Sequence, residues 1–347
     1  MARGTRFDAI RAVEACYQGG EDDRAWLSSI LETLAPLDAG PGFFGQIYRL
    51  SPDGSRVVEE EAVAGALTLA QFRQMVRQSE RFARHAPAEA TRLLWAPTPP
   101  VEYVGRRIAR GRGLLAHQRS LLRHLGVGDA LGIFGSGPDG GTVLISSALP
   151  TGEERLPART LHQLTLFAAH LGASLRLRRA LRGERPGPSP GAPLEAVLDP
   201  RGRVLDAEGG ARPEQARRSL ADAVRRMERA RGPLRRVDPE EALGLWRGLV
   251  EGRWSLVDQC DSDGKRYLLA RRNSPGVADP RRLTERQRSV LAFAAMGYQN
   301  KLIGYQLGLS PSAVSSHLEA ARRKLGCVSR AELMRRFGPL LGGAGPV

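Results

Sequence analysis

The chain has 347 residues, 41% hydrophobic, 26% charged and 5% aromatic, a balance that fits a soluble protein of two or three domains and excludes disorder throughout and collagen-like repetition. No run approaches the roughly 18 consecutive apolar residues of a membrane span, and the opening MARGTR precedes no apolar signal core, so a cytoplasmic protein with no membrane contact is expected. The formal net charge of +15 favours nucleic acid or another anionic partner; yet all but Lys265, Lys301 and Lys324 of the 52 cations are arginine, a bias that GC-rich coding also produces, so where the charge concentrates matters more than its sum.

In chain order, Phe7 to Gln18 reads as a helix, and Arg24 to Leu34 as another, with Trp26, Leu27, Ile30, Leu31 and Leu34 on one face. Phe43 to Leu50 and Arg56 to Val63 flank the turn signal Ser51-Pro52-Asp53-Gly54 and predict a hairpin. A helix from Leu69 to Arg84, a Pro-broken stretch and a helix from Leu114 to Leu125 lead to a second hairpin, Ala130 to Ser136 with Thr142 to Ala148. The stripe Leu161, Leu164, Ala168, Leu171 and Leu175 closes this part as one long helix, packed on its own sheet or serving as a dimerising signalling helix. Helices flanking an antiparallel sheet make an α+β domain, residues 1–182.

Gly183 to Pro193 carries Pro or Gly at nearly every second position and reads as a linker, 183–193. Beyond it, a strand pair (Ala196 to Asp199, Arg203 to Asp206), two helices (Pro213 to Ala230, Pro239 to Glu251) and a second strand pair (Trp254 to Cys260, Arg266 to Ala270) fill 194–272. A second linker spans 273–280, and 338–347 is a Gly- and Pro-rich tail. By element order the first segment resembles a GAF-like domain and the second a PAS-like module, both sensory folds; no diagnostic motif separates GAF, PAS or another sensor fold.

The segment 281–337 is more explicit. Thr284-Glu285-Arg286-Gln287 is a capping box that starts a helix with Val290, Leu291, Ala294 and Ala295 on its apolar face, and Gly297 is placed to end it in the left-handed conformation. Asn300 to Leu307 is a short helix, Gly308 a tight turn, Ser310 a cap and Pro311 the first residue of a helix running to Leu325; Ser329 to Glu332 opens a fourth. A short helix, a Gly turn and a capped longer helix form a helix-turn-helix. On the longer helix Val314, Leu318, Ala321 and Leu325 face inward, leaving Ser312, Ser315, Ser316, Glu319 and Arg323 outward and His317 on the flank.

Leu283-Thr284-x-Arg286, Val290-Leu291, Gly297, Asn300-Lys301-x-Ile303, Leu307, Ser310, Val314, His317, Lys324-Leu325 and Arg330 together resemble the LuxR/GerE-type DNA-binding domain of bacterial transcription regulators. The resemblance implies an all-α, four-helix unit that acts as a dimer on double-stranded DNA of roughly palindromic sequence, with the fourth helix as a dimer surface. Carried over by position it places Lys301, Ser312, Ser315, Ser316 and His317 at the DNA. Ser310 at the helix N-terminus and the basic run Arg322, Arg323 and Lys324 complete the expected contact set. From Arg281 to Phe337 there are eleven Arg/Lys against Glu285, Glu319 and Glu332, a local excess of +8. Four positions depart from the family: Gln287 stands for the usual acid, Ser315 for a frequent cation, and Gln299 and Leu302 for Ser and an acid.

No phosphate loop and no G-x-S-x-G elbow occurs, the histidines form no i,i+4 pair, and Cys16, Cys260 and Cys327 have no metal spacing, so no enzymatic activity, cofactor or metal is expected and the thiols are read as reduced. Trp95, Trp246 and Trp254 either line a ligand cavity or fill a core. The expected function is a sequence-specific transcription regulator whose C-terminal helix-turn-helix is controlled by N-terminal sensory modules through a small-molecule or protein signal. The competing class is a protein-interaction regulator with constitutive or vestigial DNA binding.

Overall fold

The computed structural model describes residues 7–18, 22–50, 56–83, 87–111, 113–137, 141–182, 193–246, 249–251, 253–260, 264–273, 283–325 and 327–334. Both hairpin tips (51–54 and 138–140), nearly all of the two expected linkers, the last residues of the fourth helix and the tail lie outside these. The chain separates into two compact units, residues 1–136 with 141–171, and residues 137–140 with 172–347.

The first unit opens with α1 (Ala9–Tyr17) and α2 (Asp23–Thr33); the Asp22 carboxylate accepts the Arg24 and Ala25 amides and so caps α2. Strands β1 (Gly42–Leu50) and β2 (Arg56–Gly65) form the first hairpin, followed by α3 (Leu69–Ala83), α4 (Ala88–Trp95), β3 (Val101–Tyr103), α5 (Val104–Arg110), α6 (Ala116–His124), the hairpin β4 (Val127–Ser136) and β5 (Gly141–Pro150), and α7 (Ala158–Leu181). All pairings are antiparallel in the order β2-β1-β5-β4-β3, so β1 and β5 join the two hairpins at the centre of the sheet, in register from Phe43 opposite Ser147 to Arg49 opposite Gly141. The α+β reading with an antiparallel sheet holds.

The stretch read as Pro-broken contains α4, β3 and α5. They are organised around Arg107, whose side chain is 2% exposed. Its guanidinium donates to Glu102 Oε2 at 3.0 Å and to the carbonyls of Leu94 and Ala96 at 2.7 Å each, and lies 4.5 Å from the Phe134 ring centre. Elements of three to eight residues are too short to announce themselves by periodicity; a buried cation shared among distant carbonyls specifies them instead. In α7, which crosses the boundary between the units at residues 171/172, the residues from Phe167 to Ala180 are buried, whereas Leu161 at the start of the stripe is half-buried and His162 is exposed.

In the second unit β6 (Leu194–Leu198), β7 (Val204–Ala207), α8 (Glu214–Arg229), the short turn α9 (Arg235–Val237), α10 (Pro239–Leu245), β8 (Trp254–Cys260) and β9 (Arg266–Arg272) build an antiparallel sheet of order β7-β6-β9-β8, the strand pair, helices, strand pair read from the sequence. The helix expected to reach Glu251 stops at Leu245. Trp246 is extended, and Glu251, with φ +51°, turns the chain so that Val250 bridges back to Trp254. Trp246 and Trp254 are core residues here, the latter donating its indole N–H to Glu195 at 2.8 Å.

The C-terminal helices are α11 (Glu285–Ala295), α12 (Asn300–Leu307) and α13 (Pro311–Lys324), with a helical segment at 330–334. The capping box is complete: Gln287 N–H donates to Thr284 Oγ1 at 3.3 Å and Thr284 N–H to Gln287 Oε1 at 3.1 Å, so Gln replaces the usual acid without loss of the cap. Gly297 and Gly308 are left-handed as expected, at φ +84° and +68°. Gly308 is needed twice over, because a Cβ there would stand 2.5 Å from the Leu249 carbonyl oxygen. Leu249 itself joins Val290, Leu291, Phe293, Ile303, Leu307, Val314 and Leu318 in one apolar core.

Candidate nucleic-acid interface and effector cavity

Ser310 starts α13 by accepting the Ala313 amide at 3.1 Å, and Pro311 occupies the first helical position. Val314, Leu318 and Ala321 are buried, which turns Ser312, Ser315, Ser316, Glu319 and Arg323 to the surface as the heptad-like spacing predicts. Lys301 is exposed at the start of α12. The helix N-terminus, three small residues and an adjacent lysine form a surface on which a DNA backbone can approach closely.

Several members of the expected contact set also have partners within the protein. Ser315 accepts from Asn300 Nδ2 at 2.8 Å and donates to the Pro311 carbonyl at 3.2 Å, while Arg330 donates to Asn300 Oδ1 at 3.0 Å, so one asparagine ties the short helix, α13 and the fourth helix together. Ser316 donates to the Ser312 carbonyl at 3.1 Å, and the Ser310 and Ser312 hydroxyls are 2.9 Å apart. Arg322 chelates Glu319, with Nε to Oε2 at 2.8 Å and NH2 to Oε1 at 2.6 Å, and donates NH1 to the carbonyls of Cys327 at 2.6 Å and Val328 at 3.1 Å. That pairing holds the Glu319 carboxyl below its ordinary pKa. Lys324 donates to Gln287 Oε1 at 2.9 Å, whereas Arg323 is 70% exposed. His317 is half-buried on the flank; burial, and secondarily the nearby Arg286 charge, lower its pKa, so it offers a neutral ring at neutral pH. Asn300 and Arg330 were not singled out as interface organisers from sequence, because their bridge spans three helices.

The start of α11 and the helix α12 are joined to the preceding module. Arg286 Nε donates to the Glu251 carbonyl at 3.0 Å and its guanidinium pairs with the Glu251 carboxylate, which also accepts from Ser219 at 2.6 Å. Tyr305 OH donates to the Leu243 carbonyl at 2.8 Å. Lys301, Ser312, Ser316 and Arg323 remain exposed in this arrangement.

A second feature lies in the first unit: a cavity of about 770 Å³ between the sheet and helices α3, α4 and α6. Its walls are mainly apolar, with Phe44, Phe72, Leu94, Leu121, Phe134 and Leu144, and Trp95 belongs to the lining rather than to a closed core. Arg56 stacks over Trp95 at 3.8 Å and bonds to Gln46, which donates to Glu61 at 2.8 Å. Gln118 is among the lining residues, and its buried side-chain Nε2 has no hydrogen-bond partner among the described residues. An orphaned buried donor costs about 1–3 kcal/mol, the kind of cost a polar group on a bound molecule would relieve. His117, also in the lining, has its pKa lowered by burial.

Residues 281–337 match the family model described as GerE, bacterial regulatory proteins, luxR family. This segment is a LuxR-family helix-turn-helix domain. No curated protein matches the chain. Solved structures similar to it include Escherichia coli SdiA crystallised in space group P6522, 9% identical, covering 96% of each chain with a TM-score of 0.30. SdiA in complex with octanoyl-rac-glycerol is 10% identical, covering 97% of this chain and 96% of the other, with a TM-score of 0.32. Among the described residues of the chain no helix is long and apolar enough to cross a membrane.

Proposed function

We propose that this chain is a transcription regulator, not a catalyst, whose LuxR-family domain binds double-stranded DNA in a sequence-specific manner as a homodimer and whose N-terminal modules control that binding. The carrying observation is the outward face of α13, small and hydroxylic at its capped N-terminus and flanked by exposed Lys301 and Arg323. Such a helix fits the major groove, its N-terminus and the flanking cations meeting phosphates while the face meets base edges. Control enters at the cavity of the first unit, which takes a small molecule carrying a hydrogen-bond acceptor for Gln118 within a mainly apolar body. The signal acts by binding two states of the protein with different affinity, the only way it can shift DNA affinity.

Retention of a genomic fragment pool by the purified full-length protein at two salt concentrations, followed by sequencing, tests this. One enriched palindromic motif that survives at the higher salt is the expected result. Uniform retention that disappears at about 200 mM salt is purely electrostatic binding and overturns sequence specificity. The protein-interaction reading draws on one observation, that Ser315 replaces a cation and spends its hydroxyl on Asn300 and Pro311; uniform retention would favour it.

A further inference from the structure

Ser312, Ser316, Glu319 and Arg323 fall within about 60° of one another on α13 at 100° per residue, which puts Glu319 on the outward face, at the edge of this arc. An acid there is unexpected: a bare carboxylate beside a phosphate backbone repels it, and the rest of the domain is cationic. The neighbouring side chains explain how it is tolerated. Arg322 holds both carboxylate oxygens, each by one hydrogen bond, and is itself fixed by the carbonyls of Cys327 and Val328, so the acid is neutralised and aimed. Each oxygen keeps a further lone-pair site. The hydroxyls of Ser315 and Ser316 donate to carbonyls of their own helix, which leaves the Glu319 carboxylate as the strong acceptor on this face.

We propose that Glu319 is a specificity-determining residue that accepts a hydrogen bond from the exocyclic amine of a cytosine in the major groove, with Arg322 as its positioning residue. Major-groove donors are the N4 amine of cytosine and the N6 amine of adenine. Adenine presents its N7 acceptor beside N6, which repels a carboxylate, whereas cytosine presents no acceptor beside N4. The choice of cytosine follows from that difference. This rests on the DNA-binding reading above.

The test is selection from a randomised duplex pool by the full-length protein, wild type against Glu319→Gln and Glu319→Ala, each checked for unchanged circular dichroism. The wild type is expected to require cytosine at one position of each half-site, by about tenfold or more over the other bases. Glu319→Ala loses that preference and keeps the other positions; Glu319→Gln turns it toward adenine, since an amide pairs with adenine N6 and N7. Identical motifs from all three proteins would overturn the inference while leaving sequence-specific binding intact. A Glu319→Ala affinity that rises evenly on every sequence would also overturn it, showing an acid that only repels phosphate. A wild type that enriches no motif overturns the DNA-binding reading and this inference with it.

Discussion

Arg286, in the first turn of the LuxR-family domain, pairs with Glu251, a left-handed residue of the preceding module, through both its side chain and its main-chain carbonyl. Two residues before Glu251, Leu249 is wholly buried in the core of the LuxR-family domain. The helix-turn-helix therefore completes its core with a residue contributed from outside the segment that defines the family. Leu249→Ala is expected to cost about 2–5 kcal/mol, as for other fully buried leucines. Hydrogen exchange of the full-length variant should show lost protection of α11 to α13 amides; unchanged protection would mean the domain is self-sufficient.

Lys301 and Arg323 are exposed, Arg323 lying 3.8 Å from the Glu319 carboxylate, whereas Arg322 and Lys324 hydrogen-bond within the domain. Lys301→Ala and Arg323→Ala should each weaken DNA binding on all sequences and reduce the slope of log affinity against log salt by about 1. Arg322→Ala should instead lower the thermal midpoint, because Arg322 closes the C-terminus of α13 on Cys327 and Val328. Anisotropy titrations at several salt concentrations distinguish them; an unchanged slope for Lys301→Ala removes it from the phosphate contacts.

The C-terminal domain was legible because its signals are local: a capping box at Thr284, left-handed glycines, a Pro at the first helical position and a 3.6-residue period. The two hairpins were legible for the same reason. What escaped is non-local. Arg107 organises α4, β3 and α5 by contacts with carbonyls eight to fourteen residues away, and no pattern in the intervening sequence shows it. The early end of α10 at Leu245 carries no local stop signal, and the cavity brings together Trp95 and Gln118 from separate helices.

Gln118 gives the cavity of the first unit, proposed above as the effector site, a distinctive signature. Gln118→Leu replaces an orphaned donor with an apolar group of similar size, so it should stabilise the purified protein by about 1–3 kcal/mol while abolishing any effector response of DNA binding. Chemical denaturation together with DNA titration reads both. A loss of stability would show that Gln118 is a structural amide and not a ligand contact.

His317 makes the domain sensitive to acid. Its folded-state pKa lies below the ordinary value of 6.5, so the unfolded chain takes up the proton first as pH falls. Its contribution to stability is constant above about pH 6.5, declines as pH drops from there to the lowered folded-state pKa, and is constant again below it. His317→Gln should flatten that part of the curve of urea midpoint against pH; the same decline in the variant would assign it to another group.

The most direct test of the account is the affinity of the full-length protein for its enriched motif against a scrambled duplex of equal length at about 150 mM salt, for the wild type and for Ser316→Glu on the outward face of α13. A regulator that reads bases through this helix prefers its motif by about 10³-fold or more, and the variant loses that preference. Equal affinity for both duplexes, or a variant that discriminates as well as the wild type, would contradict recognition through α13.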